Sequence, residues 1–314
     1  MNYKDIINFT LRGVIAALFY GFLNNSFSSD NLSDNKEIVP REKRNLKGPR
    51  RTIGRGKFGT VSEYTLDRMS VAVKIPHSTD YNAIQQNELM ILKKAGEHRN
   101  LIQIIGSETC EEQIWIVMEL MHGSVRNLLD STPLLSWDIK ISLAKQLTDG
   151  IAHLHEQSII HLDLNTDNLL VRIERDNQVT LKIADFGSAT EDPTICLCKK
   201  ICVTLNGRID HTFTYTAPEL YNALNGGNAQ PNEKADIFSL GIIFAEIVNQ
   251  ARPRRTGDEV LLGKFEQLNS FSFMTTGLWR SYLTGLTKKC INPTPSERPA
   301  ATEVLTELRK ISSN

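Results

Sequence analysis

The chain has 314 residues, room for one large domain or two ordinary ones, and 40% hydrophobic with 23% charged residues is an average globular composition. Lys plus Arg equals Asp plus Glu at 36 each, which excludes a global field pulling the chain toward nucleic acid or an anionic membrane; charge-based recognition must be local. Five cysteines, Cys110, Cys196, Cys198, Cys202 and Cys290, show no secreted disulfide spacing and point to a reducing compartment.

Residues 6–23 are mostly apolar, and 14–23 are interrupted only by Gly21. That run is shorter than the roughly 20 residues a spanning helix needs. Arg12 within the longer span would cost about 2.5 to 3.5 kcal/mol on insertion, so spanning is disfavoured. The main reading is an amphipathic or docking helix; a signal peptide or anchor, with Ser26-Phe27-Ser28 as a poor cleavage site, is the alternative. Residues 28–35 are rich in Ser, Asn and Asp and 36–51 in Lys, Arg and Pro, a composition without apolar periodicity that reads as a linker. Residues 1–49 are therefore expected to form an N-terminal extension.

Strands are predicted at 50–64, 70–76, 101–108 and 113–120, with one helix inserted at 82–94 where Ile84, Leu89, Ile91 and Leu92 are apolar. Beyond residue 124 the texture turns helical. Ile139, Leu143, Leu147, Ile151 and Leu154 recur at spacings of three and four in 138–155, and similar patterns occupy 234–248 and 278–290. The expected architecture is α+β: a small β-rich lobe with one main helix over 50–121, and a larger helical lobe over 122–311. Residues 222–232 form an Asn-Gly-rich loop. Cys196, Cys198 and Cys202 cluster, but nothing nearby completes a tetrahedral zinc site, and they read as free thiols in a loop.

Gly54, Gly56 and Gly59, followed by Val61, make a G-x-G-x-x-G-x-V segment in a predicted strand-turn-strand, where absent side chains let backbone N–H groups approach phosphate oxygens. Alone this is a weak signal, equally an ordinary glycine turn. Lys74 ends Val71-Ala72-Val73-Lys74 on the next strand, as a fixed positive charge for phosphates, and Glu88 lies 14 residues on in the only helix of the small lobe, placed to hold it. Either residue alone would more often be a solvated charge; the ordered pair is less easily dismissed. His161-Leu162-Asp163-Leu164-Asn165-Thr166-Asp167-Asn168 follows, and 22 residues after Asp163 comes Asp185-Phe186-Gly187. Asp163 would accept or orient a hydroxyl proton, while Asn168 and Asp185 offer hard oxygens to a Mg²⁺ bridging phosphates. Capping and turn roles explain Asn168 or Asp167 singly, not the whole order.

Ala217-Pro218-Glu219, the helix opening at Asp236-Ile237-Phe238 and Arg298 near the end complete a series that resembles the eukaryotic protein kinase family over about 50–311. The resemblance implies a bilobal kinase fold, ATP and Mg²⁺ as cofactors, and transfer of the γ-phosphoryl group to a Ser or Thr hydroxyl of a protein substrate. By it, Gly54, Gly56, Gly59, Val61, Ala72, Lys74, Met118 as gatekeeper, and Glu119 to Met121 as adenine-binding hinge would contact the nucleotide. Asp163, Lys74, Glu88 and Thr212 would serve catalysis, with Thr212 beside Asp163; Glu219 would pair with buried Arg298, and Asp236 would brace the catalytic loop. Within the kinases the chain resembles the Mos family, from His161-Leu162-Asp163-Leu164, 210–219 reading DHTFTYTAPE, Lys234-Ala235-Asp236-Ile237 and 295–299 reading PSERP. That resemblance implies a monomeric cytoplasmic kinase acting on a MAP kinase kinase in the MAPK cascade of oocyte meiosis, binding no nucleic acid.

Two positions depart from the family pattern. Leu162 replaces the usual Arg, so no guanidinium is offered to an activation-loop phosphate. Asn165 replaces the usual Lys, which removes a positive charge aimed at the transferring phosphate and implies a slow enzyme. The competing readings are a catalytically weak scaffold and a membrane-anchored or exported kinase.

Overall fold

A computed structural model describes residues 46–56, 58–175, 178–192, 214–220, 232–251 and 278–311. The apolar segment 6–23, the clustered Cys196, Cys198 and Cys202, most of the 222–232 loop, and Thr212 lie outside the described residues. No described helix is long and apolar enough to cross a membrane.

The small lobe is an antiparallel sheet of five strands, β1 (Leu46–Arg55), β2 (Gly59–Leu66), β3 (Met69–Pro76), β4 (Ile104–Cys110) and β5 (Gln113–Glu119), in the order β1-β2-β3-β5-β4. Side chains alternate across a strand, and β3 uses both faces. Val71 and Val73 join Tyr64, Leu66 and Val117 in one apolar cluster. Ala72 and Lys74 face the other way, toward the single small-lobe helix α1 (Asn82–Ala95) and the cleft beneath the sheet, where Ala72 packs with Met118. Buried positions of α1 are Gln85, Glu88, Ile91, Leu92 and Ala95. That helical spacing carries Glu88 onto the same inward stripe as the apolar residues.

The large lobe begins with β6 (Gly123–Ser124) and α2 (Val125–Ser131), whose start is closed by reciprocal Ser124 and Asn127 bonds. Ser136 caps α3 (Trp137–Glu156), which buries Leu143, Leu147, Ile151 and Leu154 as its period predicts. β7 (Leu169–Ile173) and β8 (Val179–Ile183) form a hairpin joined to β6. α4 (Glu233–Asn249) is buried on every side from Ala235 to Val248; α5 (Leu278–Cys290) packs on it, and α6 (Ala301–Arg309) packs on α3 to complete the lobe.

Two boundaries differ from the sequence expectation. Residues 46–49, read as linker, belong to β1, with Leu46 opposite Leu66 and Lys47 opposite Thr65. The strand expected at 101–108 starts only at Ile104, because the chain ahead of it is taken up by the large lobe. Leu101 bridges Ile183 in parallel, Ile102 N–H donates to Ile183 O at 2.9 Å, and Ile183 N–H donates to Asn100 O at 2.8 Å. Two adjacent buried apolar residues, Leu101 and Ile102, gain more there than at a sheet edge.

Candidate active site

The turn between β1 and β2 closes through Gly56 N–H to Gly59 O at 3.0 Å. A Cβ on Gly59 would sit 2.4 Å from Ile75 O, so only glycine permits β2 to start this close to β3. A Cβ on Gly54 would meet nothing within 4 Å, and one on Gly56 only Gly59 O at 3.9 Å. Their glycines leave backbone accessible on the loop rather than relieve a clash. Val61, opposite Lys74 in the β2–β3 register, packs with the cluster that contains Ala72, Met118 and Met121. Ala72 stands opposite Met118 in the β3–β5 register.

Lys74 is nearly buried, and its Nζ lies 2.7 Å from both Glu88 Oε2 and Asp185 Oδ1. Burial opposes its charge, but two carboxylates outweigh that and push its pKa up, so it stays cationic. Burial works to raise Asp185, yet the Lys74 charge and hydrogen bond hold its carboxyl below the usual range. Asp185 itself has left-handed backbone, φ 63°, which turns its carboxylate back into the cleft at the end of β8.

Asp163 stands on the loop between α3 and β7. Its pKa is raised to about 7, first by burial and then by Asp185, against the hydrogen bonds of Asn168 and Asn165 and the Lys74 charge. Asn168 Nδ2 donates to Asp163 O at 2.8 Å and to Asp163 Oδ2 at 3.1 Å. Ala184 N–H donates to Asn168 O at 2.9 Å, which ties the Asp163 loop to the residue before Asp185. The loop hangs on Asp236 at the start of α4. Its Oδ2 accepts from His161 N–H at 2.8 Å and His155 Nε2 at 3.0 Å, and its Oδ1 from Leu162 N–H at 2.9 Å. Burial raises Asp236, but the His155 hydrogen bond and neighbouring charges prevail and keep it low. This grip holds Leu162 at φ 66°, a conformation costing roughly 1–2 kcal/mol for a side chain of its kind. His161 is buried against Phe186, its Nδ1 accepting from Asp163 N–H at 3.3 Å and its Nε2 donating to Ala184 O at 3.2 Å; burial keeps it neutral.

The donor set fits a hard divalent cation. Asn168 spends its amide nitrogen on Asp163, which leaves Oδ1 as its ligand atom; Asp185 engages Lys74 through Oδ1 alone and is 41% exposed. Among the described residues no cluster of three His, Cys, Asp or Glu could hold a metal by itself. The Asn168 and Asp185 oxygens suit Mg²⁺ held by one or two protein oxygens and completed by phosphate and water.

The Protein kinase domain profile matches residues 49–308. This chain belongs to the protein kinase family. It is 28% identical over 284 residues to the Nodulation receptor kinase of Pisum sativum, covering 82% of this chain and 29% of that protein. The Probable serine/threonine-protein kinase kinX of Dictyostelium discoideum is 28% identical over 271 residues, covering 82% and 23%. Dual specificity testis-specific protein kinase 2 of Mus musculus is 27% identical over 271 residues, covering 84% and 45%. The chain thus spans less than half the length of each of these relatives. Kinase domains in general use ATP and a divalent metal.

The Glu219–Arg298 pair that the resemblance implied is present, but several other contacts at the site carried no signal in the sequence. Glu119 does not turn its side chain to the cleft: it accepts from Gln103 N–H at 2.9 Å, pairs with Lys182 at 2.8 Å and with Arg172, and so ties the hinge to β7 and β8. Asn87 of α1 reaches Phe186 O at 3.4 Å and Ala189 O at 3.0 Å. Fully buried Glu246 of α4 collects Arg126, Thr166 Oγ1 at 3.1 Å and Tyr215 OH at 2.5 Å beneath the loop. Glu219 and buried Arg298 form a two-point pair at 2.6 and 2.8 Å.

Proposed function

We propose that this chain is a protein Ser/Thr kinase that transfers the γ-phosphoryl group of ATP to a protein hydroxyl, with lobes divided as 50–121 and 122–311. The observation that carries the reading is convergence: Lys74, Glu88 and Asp185 form one ion network in the cleft beneath the sheet, and Asp163 with Asn168 is bonded to the residue preceding Asp185. The glycine turn bearing Gly54, Gly56 and Gly59 covers the phosphates, and Val61, Ala72, Met118 and Met121 enclose the base, with the Glu119 backbone at its edge.

Lys74 orients the phosphates and Glu88 fixes Lys74. Asp163, poised near neutrality, accepts or orients the proton of the substrate hydroxyl. Asn168 and Asp185 would hold Mg²⁺, which when bound supplies charge neutralisation across the phosphate oxygens. Thr212 is proposed beside Asp163 as a Ser/Thr-type substrate contact. Retention of every one of these groups favours an enzyme over a scaffold. The finer assignment, a Mos-like, cytoplasmic, monomeric kinase acting on a MAP kinase kinase in meiosis, rests on the sequence segments quoted above; the relatives named here carry other names.

The test is a Mg²⁺/ATP assay of the purified chain with a panel of protein substrates that includes MAP kinase kinases, followed by phosphosite mapping. Phosphoserine or phosphothreonine that disappears with Asp163→Asn is the expected result. No transfer to any substrate or to the chain itself, with ATP still bound, would leave the scaffold reading standing.

A further inference from the structure

Asn165 is one of the two positions at which the chain departs from the family pattern, and its side chain is committed to neighbouring groups. It is 8% exposed and turned into its own loop. Its Nδ2 donates to Asp163 O at 3.1 Å and Asp163 Oδ1 at 3.2 Å, and its Oδ1 accepts from Asp167 N–H at 3.0 Å and Asn168 N–H at 3.1 Å. The accepting half is a common way for Asn to close a turn, and by itself would be structural. The donating half is different, because its target is the carboxylate of the base. With Asn168 on Oδ2, each oxygen of Asp163 is held by one asparagine, and the two asparagines are bonded to each other. Lysine has donors and no acceptor, so it cannot close this triangle; aspartate can accept but cannot donate.

The geometry points to Asn165 as a positioning residue that locks Asp163 and Asn168 in mutual register, in place of a charge directed at phosphate. The assignment rests on the kinase reading, and it reverses what loss of the lysine alone implies: restoring lysine breaks the brace instead of repairing a deficit.

Three variants of the full chain test it, measured for kcat, KM for ATP, Mg²⁺-dependent ATP affinity and melting temperature. Asn165→Ser keeps a short oxygen over the Asp167 and Asn168 N–H groups and removes the amide donor. Its kcat should fall about tenfold or more, the effect of removing a supporting hydrogen bond, while KM for ATP and melting stay near wild type. Asn165→Lys should also lose kcat, and Asn165→Ala should weaken the Mg²⁺-dependent part of ATP affinity by about tenfold. A kcat for Asn165→Lys equal to or above wild type, or an Asn165→Ser indistinguishable from wild type, overturns the assignment. If Asn165→Lys does not melt cooperatively, the Ser variant decides. A wild-type chain that transfers no phosphate defeats the kinase reading, and the Ala variant still tests the brace, since unchanged Mg²⁺-dependent affinity would refute it.

Discussion

A carboxyl group with a pKa near 7 works against the fold that holds it. An unfolded aspartate titrates near 3.9, whereas Asp163 in the metal-free chain is raised to about 7. Between those values the native chain binds more protons than the unfolded one, so this group makes stability fall as pH rises through the window. Asp163→Asn should remove that slope. With EDTA present the variant's stability relative to wild type should rise by about 1–3 kcal/mol from pH 4 to above pH 7, after allowing for partial exposure, on top of a constant cost for setting an amide nitrogen against one asparagine donor. Its turnover should drop by about 10² to 10⁴. Denaturant titrations across pH check the first effect; a variant that gains nothing at high pH would show that Asp163 is not the strained group. Leu162 leads to a regulatory expectation. With Leu162 offering no guanidinium to grip a loop phosphate, phosphatase treatment should leave kcat/KM within about threefold. A fall beyond about tenfold would mean another basic group does the gripping.

At the scale of elements, α1 is braced along its length. Asn82 Nδ2 donates to Glu112 O at 2.7 Å and its Oδ1 accepts from Ile114 N–H at 3.0 Å, which fastens the first turn to the β4–β5 hairpin. Glu88 meets Lys74, Asn87 meets Phe186 and Ala189, Lys94 pairs with Glu191, and His153 of α3 donates to Ala95 O at 2.7 Å. Asn87→Ala should speed amide exchange in α1 and in residues 186–189, cost about 1 kcal/mol of stability, and lower kcat/KM several-fold by loosening Glu88. Unchanged exchange in α1 would show that Asn87 contributes nothing to its position. The periods of α1, α3 and α4 and the order of the proposed phosphate, base and metal residues were legible in the sequence, because each is carried by residue type at fixed spacing. The braces were not. Asn87, Asn82, Asn165 and Glu119 bond to backbone groups or to residues up to about a hundred positions away, and an Asn on a helix surface reads the same whether or not a carbonyl waits opposite it. Residues 46–49 misled for the opposite reason, since their polar composition hides a strand that is exposed along nearly its whole length.

Over the whole molecule, buried Arg298 joins the segment ahead of α6 to Glu219 and to α4, donating also to Asn292 O at 2.7 Å and Lys234 O at 2.8 Å and lying over Phe238. Removing it with Arg298→Leu strands a carboxylate and several carbonyls, and should cost about 3–5 kcal/mol. Arg298→Lys should recover only part, because an ammonium cannot make the two-point contact. Thermal melts of both variants check the order. The lobes themselves are joined at a narrower place than their contact suggests. β5 leaves the sheet at Glu119 beside the point where β4 enters it, and there Glu119 N–H donates to Gln103 O at 3.1 Å while Gln103 N–H donates to the Glu119 carboxylate. The entry into β4 and the exit from β5 therefore lie side by side in a stitched two-strand ribbon, anchored below by Lys182 and Arg172 through Glu119. Such a ribbon bends more easily than it twists, so the small lobe should nod about this line when spent nucleotide leaves. The Ala95–His153 and Asn87 contacts also fasten α1 to the large lobe, so this motion should load them. On the proposed kinase reading, their strength should set how long ADP is retained, which would make the braces of α1 a brake on turnover as well as the frame of the site.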